Sequence, residues 1–457
     1  MIRAFFVSIL EVLNEVSMTL LSTLLVFLEA FITILTRFLP EPVIDMFSRA
    51  SKRILRLWPA RGQRELECNA ALFRHCHEIA RAESFNEICN KYKYEFEEHI
   101  VLTTDGYLLG LHRITGSPKA NYNVKGVRKP VIYLHHGLLM NSEIWIAVDK
   151  PAQSIAFTLA DNGYDVWLGN NRGNKYSKKH ISLQSSSVKF WNFSMDEFSF
   201  YDIPDSINYI LDLTKEPSLS YLGFSQGSAQ AFAALSIHSH LNKKVNHFIA
   251  LAPAMTPPGV NSLVQSFTNK SPSMLYFLFG RKIILRSSVF WQSIMNVDLF
   301  VRTIDFACQF LFGWQGKNIS YSQKVTGYSH LYSFTSVKSV VHWFQIIGTG
   351  RFQMYDDDTM QLVFRTKQFY RALPYPTQNI KTPITLIYGM SDSLVDIDAL
   401  LKELPYTTEA IGVPRYEHLD MIWGKAVPEV IAPKILESLQ KARHQNDSQV
   451  VLAEFEG

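Results

Sequence analysis

The sequence predicts an α/β fold in which a mostly parallel sheet carries helices on both faces. From about Glu95 onward, short runs of apolar and β-branched residues, each bounded by turn residues, alternate with helical stretches. Such alternation is typical of parallel strands, because each crossover between them needs a long connection, usually a helix. The chain has 457 residues, of which 19% are charged and 13% are aromatic. This composition excludes a disordered chain and fits one large α/β domain with insertions, or two or three small domains.

Five strands have clear predicted boundaries, and a sixth is expected near Ala410–Val413. The five are Pro130–Leu134, Tyr164–Leu168, Leu219–Leu222, His247–Leu251 and Ile384–Tyr388. In open parallel sheets, ligands and reacting groups gather at the carboxyl ends of the strands. The residues that follow each strand are therefore the first place to look for chemistry.

The N-terminal segment is predicted to be a membrane anchor. Val16 to Thr36 contains one charged residue, Glu29, and as a helix it would cover about 30 Å, the thickness of a bilayer core. A cleaved signal peptide fits poorly, because the apolar run is too long and only Arg3 supplies a basic start. The alternative is a buried soluble helix, which Glu29 and several Ser and Thr residues favour.

A basic amphipathic helix is expected directly after the anchor. Pro40 and Pro42 interrupt the first helix, and Val43 to Trp58 then places apolar residues at helical spacing with Arg and Lys on the other face. The positive charge lies almost wholly C-terminal to the apolar run. The positive-inside rule therefore places the large domain on the cytosolic side. The net charge of +4 is small for this length and gives no indication of nucleic-acid binding.

Cysteines and glycosylation sequons are consistent with a cytosolic location. Free buried thiols in a reducing compartment are expected, although a disulfide between two of the first three cysteines stays open. The cysteines are Cys68, Cys76, Cys89 and Cys308. The sequons are expected to be unused on the cytosolic side, and they lie at Asn192, Asn269, Asn318 and Asn446.

A Gly-x-Ser-x-Gly pentapeptide, residues 223–227, joins the strand Leu219–Leu222 to an Ala-rich helix. In this context the two glycines relieve clashes in a tight turn that presents the hydroxyl of Ser225 at a helix N-terminus. Ser225 is therefore a candidate nucleophile. The alternative for the pentapeptide alone is an ordinary turn.

A serine nucleophile needs a base, and the base needs a carboxylate that fixes its tautomer. Asp392 follows the strand Ile384–Tyr388, and His418 stands in a loop after the expected strand near Ala410–Val413. This Ser, Asp, His order is the one found on sheets of this kind. Asp396 and Asp398 compete for the acid role, but Asp392 lies closest to the strand end.

The turn His136-Gly137-Leu138 follows the strand Pro130–Leu134. It can aim the backbone N–H of Leu138 at the space above the nucleophile. Together with the N–H of Gln226, this would form an oxyanion hole. An ordinary strand-end turn is the alternative.

Residues 257–382 interrupt the strand alternation with a segment dense in Phe, Leu, Trp, Tyr and Met, as in Met274–Phe279 and Val340–Phe344. We expect an apolar helical cap over the active site, with extra core packing as the alternative. The predicted organisation is an anchor at 1–60, a core formed by 84–256 and 383–440, the cap at 257–382, and a tail at 441–457.

The motifs together resemble the acid lipase family, and more closely the fungal membrane-anchored steryl ester hydrolases of lipid droplets. The resemblance covers about Ser84 to Lys425 and rests on six motifs. They are Thr104–Tyr107, His135–Met140, Tyr164–Asn174, Phe224–Ser228, Ala252–Pro257 and Tyr416–Asp420.

The resemblance implies an α/β-hydrolase fold and a serine esterase that needs no cofactor. It implies Ser225 as nucleophile, Asp392 as acid and His418 as base, with Leu138 and Gln226 as oxyanion donors. The implied substrate is a steryl ester, at a lipid-droplet or endoplasmic reticulum membrane with the catalytic domain in the cytosol. A triacylglycerol lipase, an acyltransferase with the same acyl-enzyme, and a catalytically silent lipid-binding protein stay open. On a droplet monolayer, residues 1–58 would have to form a hairpin or lie in the interface, because the inner side is oil.

Overall fold

The computed structural model describes residues 70–119, 128–258, 272–286, 292, 297–357 and 372–443. The predicted anchor, the basic amphipathic helix, Cys68 and residues 444–457 lie outside these ranges. Within them, no helix combines the length and the apolar character that a membrane crossing requires.

The described strands belong to one sheet. They are β1 (Glu95–Leu102), β2 (Tyr107–Gly116), β3 (Val131–His135), β4 (Asp165–Leu168), β5 (Lys179–His180), β6 (Leu219–Phe224), β7 (Val245–Leu251), β8 (Ile384–Gly389) and β9 (Glu409–Val413). Their order is β1-β2-β4-β3-β6-β7-β8-β9, with β5 paired beside β2. The six strands from β4 to β9 along this order are parallel, and β1, β2 and β5 pair antiparallel. The predicted mostly parallel sheet is confirmed.

The helices of the described residues flank the sheet or follow its strands. In the core they include α1 (Ala70–Ala80), α2 (Phe85–Tyr92), α3 (Ile155–Asp161), α4 (Ile203–Thr214), α5 (Gln226–Ile237), α6 (Leu241–Lys244), α11 (Ile397–Glu403) and α12 (Asp420–Trp423), besides the short helix Met195–Glu197 and a helical run over residues 432–443. Between β7 and β8 they are α7 (Pro272–Phe279), α8 (Val297–Phe312), α9 (Tyr321–Tyr328) and α10 (Val337–Thr349). We call residues 257–382 the insertion.

The central strands are buried on both faces, which explains their nearly continuous apolar sequences. In β3, Val131 and Tyr133 join the hydrophobic core on one side of the sheet, whereas Ile132 and Leu134 join the core on the other. Side chains alternate between the faces of a strand, so every apolar residue of β3 finds a covered face. The edge strand β1 instead has the sequence Glu-Phe-Glu-Glu-His-Ile-Val-Leu and is mostly exposed.

A buried polar cluster joins the insertion to the core. The carboxylate of Glu143, which is 2% exposed, accepts hydrogen bonds from Lys175 (2.6 Å) and from His330 Nδ1 (2.9 Å). The other ring nitrogen of His330 donates to the carbonyl of Ile79 in α1 (2.8 Å). Burial opposes the ionisation of Glu143, but the His330 hydrogen bond and nearby positive charges outweigh it and lower the pKa to about 2. One carboxylate thus ties the insertion to the loops after β3 and β4.

The three cysteines in the described residues, Cys76, Cys89 and Cys308, are free. Burial raises the pKa of Cys76 to about 12 and that of Cys89 still further. The thiols of both residues are therefore protonated and unreactive at neutral pH.

Candidate active site

Ser225 lies between β6 and α5 in a conformation that L-residues rarely adopt, with φ 54° and ψ −120°. The turn needs glycine on both sides. A Cβ on Gly223 would lie 2.5 Å from the carbonyl carbon of Gly227, and a Cβ on Gly227 would lie 2.4 Å from the carbonyl oxygen of His135. The pentapeptide therefore has its glycines for a steric reason, and Ser225 stands at the N-terminus of a buried helix.

Hydrogen bonds to the main chain hold the strained serine. Its N–H donates to the carbonyl of Leu251 at the end of β7 (3.0 Å). Its carbonyl accepts from the hydroxyl of Ser228 (2.5 Å), which itself accepts from the N–H of Ala254 (3.2 Å). The loop after β7 thereby braces the turn.

Asp392 and His418 meet at the carboxyl ends of β8 and β9. His418 Nδ1 donates to Asp392 Oδ2 at 2.6 Å, and the other carboxylate oxygen accepts from the N–H of Leu394 (3.0 Å). Both side chains are buried. Because Nδ1 carries the proton, Nε2 of the neutral ring keeps a lone pair that can accept a proton from a hydroxyl.

The structure shows which of the three candidate aspartates binds His418. Asp396 caps α11, where its side chain accepts from the N–H of Ala399 (3.0 Å). Asp398 lies in the first turn of the same helix and is exposed. The hydrogen bond to His418 belongs to Asp392.

His418 lies beside the nucleophile turn. Its ring centroid is 5.0 Å from that of Phe224, the residue before Ser225. The loops after β6, β8 and β9 thus bring the three sequence-predicted residues to one edge of the sheet.

The turn His136-Gly137-Leu138 continues into Leu139 and is called the oxyanion turn below, after its predicted role. It passes directly over Ser225. A Cβ built on Gly137 would lie 3.1 Å from the Cβ of Ser225. The N–H of Gln226 belongs to the residue after Ser225 and to the first turn of α5, whose N–H groups have no partner within the helix. The two predicted donors therefore belong to the segments nearest the hydroxyl.

His136 holds this turn in one orientation. Its Nδ1 donates to the carbonyl of Gly137 (2.7 Å), while its Nε2 accepts from the N–H of Asn171 (3.2 Å) and lies 3.3 Å from Asn174 Nδ2. A peptide unit is planar and trans, so fixing the Gly137 carbonyl also fixes the opposite direction of the Leu138 N–H. Burial lowers the pKa of His136 to about 4, which keeps the ring neutral in this tautomer.

The sequence is similar to known hydrolase families and lipases. Residues 130–424 match the alpha/beta hydrolase fold family, and residues 85–149 match a partial alpha/beta-hydrolase lipase region. The sequence is 48% identical to "Probable lipase C1672.09" of Schizosaccharomyces pombe, over 80% of this chain and 79% of the relative. It is 35% identical to the lysosomal acid lipase/cholesteryl ester hydrolase of Macaca fascicularis (78% and 90% covered) and 33% identical to human gastric triacylglycerol lipase (78% and 91% covered).

The chain belongs to the acid lipase family of α/β-hydrolases. It is therefore a carboxylic ester hydrolase, and the expected family and enzyme class are confirmed. Within the residues that the structure describes, no group of three or more His, Cys, Asp or Glu side chains is placed to hold a metal ion.

Two family motifs meet at a buried arginine that the sequence analysis did not assign to a role. Arg172, 1% exposed, donates to Asp202 Oδ1 (2.8 Å) and to both oxygens of Asp105, and its guanidinium lies 4.1 Å from the ring centre of Tyr107. Arg172 stands directly after Asn171, which positions His136. The ion pairs of this arginine thus hold in place the loop whose Asn171 donates to His136.

Two tryptophans of the insertion also reach the site, and sequence reasoning missed both. Trp343 Nε1 donates to the side chain of Gln226 (2.7 Å), and the ring of Trp314 stacks on that of His418. Nothing local distinguishes these two from the other aromatic residues of the insertion. Only their position beside residues distant in sequence identifies them.

A recess of about 480 Å³ elsewhere on the surface has no part in this site. It is lined by Glu78, Arg81, Ala82, Glu87, Asn90 and Lys91 and opens to solvent. Its charged walls suit neither an acyl chain nor a sterol ring, so the residues around Ser225 define the candidate site.

Proposed function

We propose that this esterase hydrolyses steryl esters through an acyl intermediate on Ser225. The 2.6 Å hydrogen bond from His418 Nδ1 to Asp392 Oδ2, next to the strained Ser225 turn, carries the proposal. It leaves Nε2 as the one ring nitrogen that can take the hydroxyl proton.

The reaction has two halves. Ser225 Oγ attacks the ester carbonyl while His418 Nε2 accepts its proton, and His418 then returns the proton to the leaving sterol oxygen. A water molecule, deprotonated by His418, attacks the acyl-serine, and His418 returns that proton to Ser225 Oγ as the bond to the acyl group breaks and the fatty acid leaves. The N–H groups of Leu138 and Gln226 stabilise the tetrahedral oxyanion in both halves, and losing one such donor typically slows turnover about 100- to 1,000-fold.

A neutral-lipid substrate is supported by the apolar insertion and by the relatives. The insertion packs apolar side chains, among them Leu275, Ile284, Val337 and Val341, beside Leu139 of the oxyanion turn. One relative carries the name cholesteryl ester hydrolase and another triacylglycerol lipase. Triacylglycerol is therefore the second candidate substrate.

The substrate test compares purified full-length protein on emulsions of a steryl ester and of a triacylglycerol, with S225A as control. We expect release of fatty acid from the steryl ester by the wild type and none above background by S225A. Faster triacylglycerol hydrolysis with a negligible steryl ester rate would reassign the substrate. If S225A is folded and as active as the wild type, Ser225 is not the nucleophile.

A fluorophosphonate probe addresses the silent lipid-binding alternative. An active serine esterase forms a stable adduct at its nucleophile, because the activated hydroxyl attacks phosphorus. Labelling of the wild type and not of S225A supports catalysis. A wild type that remains unlabelled would favour the lipid-binding protein.

We further propose that the enzyme works at a lipid-droplet or endoplasmic reticulum membrane, with its catalytic domain facing the cytosol. The apolar run Val16–Thr36 and the basic segment Val43–Trp58 support this location. Imaging of the tagged full chain beside a form lacking residues 1–58 tests it. Droplet targeting that survives the truncation would overturn the role of the anchor.

A further inference from the structure

We infer that Trp314 is a positioning residue for the base His418: its indole stacks on the imidazole and holds the ring in the plane needed for proton transfer. This inference rests on the proposed function of His418. Trp314 belongs to the insertion, and among the described residues its ring contacts are with His418 and Phe312. It would thus act on the reaction through the histidine alone.

The two rings are stacked, with nearly parallel planes and an offset between their centres. Their centroids are 5.1 Å apart and their planes differ by 8°. Trp314 is 7% exposed, and the ring of Phe312 stacks on it in turn, at 4.3 Å and 22°. An aromatic stack of two residues from the insertion therefore ends on the catalytic imidazole.

Hydrogen bonds tie the same loop to the acid side of the site. Trp314 Nε1 donates to the hydroxyl of Ser393 (3.1 Å), and this hydroxyl donates to the carbonyl of Phe312 (2.7 Å). Ser393 directly follows Asp392. The indole is consequently fixed relative to the carboxylate that binds the imidazole.

The loop is also tied to the base side of the site. The carboxylate of Glu417 accepts from the N–H groups of Gln315 (2.9 Å) and Gly316 (2.8 Å). Glu417 directly precedes His418. The segment 312–316 thus connects the residue after the acid with the residue before the base.

The stacked indole restricts a rotation of the His418 ring that the hydrogen bond to Asp392 does not prevent. A single hydrogen bond at Nδ1 fixes one corner of the imidazole, but the ring can still tilt about that bond and swing Nε2 away from Ser225. A flat, anchored indole on its face opposes the tilt and keeps water from that face. When the ring takes up a proton, the indole also attracts the cation, since the faces of aromatic rings are electron-rich.

The test uses the full-length chain and a water-soluble short-chain p-nitrophenyl ester, so that binding to a lipid surface does not enter. The variants are W314L, which keeps an apolar side chain without a flat face, and W314F, which keeps a flat face. We expect W314L to lower kcat on the order of 10-fold with KM within about twofold, because a desolvated cation–π contact contributes roughly this much. W314F is expected to recover most of the lost kcat.

W423F is the matched control. Trp423 is also buried, and its Nε1 donates to the carbonyl of Ile144 (3.1 Å), but its ring contact is with Tyr328. We expect W423F to lower the thermal unfolding midpoint and to leave kcat and KM near the wild-type values.

S393A is a second, milder test variant, because it removes the hydrogen-bond partner of the Trp314 indole without opening a large cavity. It should lower kcat by about threefold, in the same direction as W314L.

Several outcomes would overturn the inference. In folded W314L these are an unchanged kcat, or a raised KM with kcat retained. An equal loss of kcat in W314F and W314L would show that the flat face is not what matters. Failure of the proposed function has a different signature, namely full hydrolysis by S225A or an unlabelled wild type, and it does not depend on Trp314.

Discussion

Ser225, the candidate nucleophile, has a strained backbone conformation. Its positive φ costs on the order of 1–3 kcal/mol, and such a conformation persists only where the surroundings enforce it. Here the conformation is held by the hydrogen bonds of Ser225 to Leu251 and Ser228. The two flanking glycines leave room for the neighbouring main chain to pack closely. Ser225 was predictable as a candidate nucleophile because the Gly-x-Ser-x-Gly pattern occupies consecutive residues, although the contact that requires Gly227 comes from the distant His135.

Replacing Asp392 tests the tautomer argument. D392N retains the shape of the carboxylate, but its amide nitrogen can donate to Nδ1 and so favours the tautomer with the proton on Nε2, which cannot act as a base. We expect kcat on a soluble ester to fall about 10,000-fold with the fold retained. D396N is the control, and it should reduce helix stability slightly and leave kcat unchanged. Comparable losses in both variants would contradict the assignment of the acid.

Replacing His136 tests the orientation of the oxyanion turn. In H136F the flat ring remains, but the Gly137 carbonyl loses its shorter hydrogen bond (2.7 Å) and keeps only the longer one from the N–H of Met140 (3.4 Å), so the Leu138 N–H is held less firmly in its direction. We expect kcat to fall on the order of 100-fold with KM nearly unchanged, and a boronic acid transition-state analogue to bind correspondingly more weakly. A variant that binds the analogue as tightly as the wild type would refute the positioning role. Sequence reasoning did not find this role, because it depends on Asn171 and Asn174 in the loop after β4.

At the scale of elements, the hydrophobic pattern predicted the parallel strands well. Strands such as β3 and β6 are buried on both faces, so their sequences are short apolar runs that stand out from their surroundings. The antiparallel strands β1 and β2 were not located, because β1 is a solvent-exposed edge strand with three glutamates and β2 carries glycine, histidine and arginine among its apolar residues. Their pairing is decided by contacts with each other and with β4.

The packing of α5 against the turn after β3 predicts a steep cost for G227A. The new Cβ would lie 2.4 Å from the carbonyl oxygen of His135 and 2.8 Å from that of His136, and neither backbone group can yield without moving the oxyanion turn. We expect a loss of about 3 kcal/mol of unfolding free energy and nearly all activity. Urea denaturation and ester hydrolysis measure the two effects.

G350A is the control for G227A. Gly350 has φ 63° at the end of α10, a conformation that strains other residues, but nothing lies within 4 Å of a Cβ there. G350A should cost about 1 kcal/mol and keep its activity. If G227A were no worse than G350A, close packing at the turn would not be the reason for its glycine.

At the scale of the whole molecule, buried titratable groups couple the fold to pH. Burial lowers the pKa values of His136 and His247 to about 4, and it lowers those of His112, His135 and His342 as well. Such a histidine has a lower pKa in the folded protein than in the unfolded chain, where it is near 6.5. Its contribution to stability is fully present above pH 6.5 and is lost as the pH falls toward 4, because the unfolded chain then binds a proton that the folded protein does not. Burial raises the pKa values of Asp202 and Asp420 to about 6, so these two carboxyl groups make the folded state more stable as the pH falls. They are fewer than the buried histidines named above.

We therefore expect the thermal unfolding midpoint to be highest near neutral pH and to fall between pH 6.5 and 4. Below pH 4.5 the protonation of Glu143 adds to the loss, because its folded pKa of about 2 lies below the ordinary value. H247Q should flatten the decline between pH 6.5 and 4, since it removes one of the groups responsible. A midpoint that stays constant or rises on acidification would show that the buried carboxyls dominate.

The sequence by itself determined the class of fold, the family, and the candidate residues at the strand ends, because strand patterns and the glycine-flanked turn are local properties. The tertiary structure decided which carboxylate meets His418, how His136 orients the oxyanion turn, and which two tryptophans of the insertion touch the site. These relations join residues far apart in sequence, and close packing selects them from chemically equivalent candidates. Position after the strand favours Asp392 over Asp396, but only the hydrogen bond to His418 assigns Asp392 as its partner. Likewise, only the stacking on His418 distinguishes Trp314 from other buried aromatic residues.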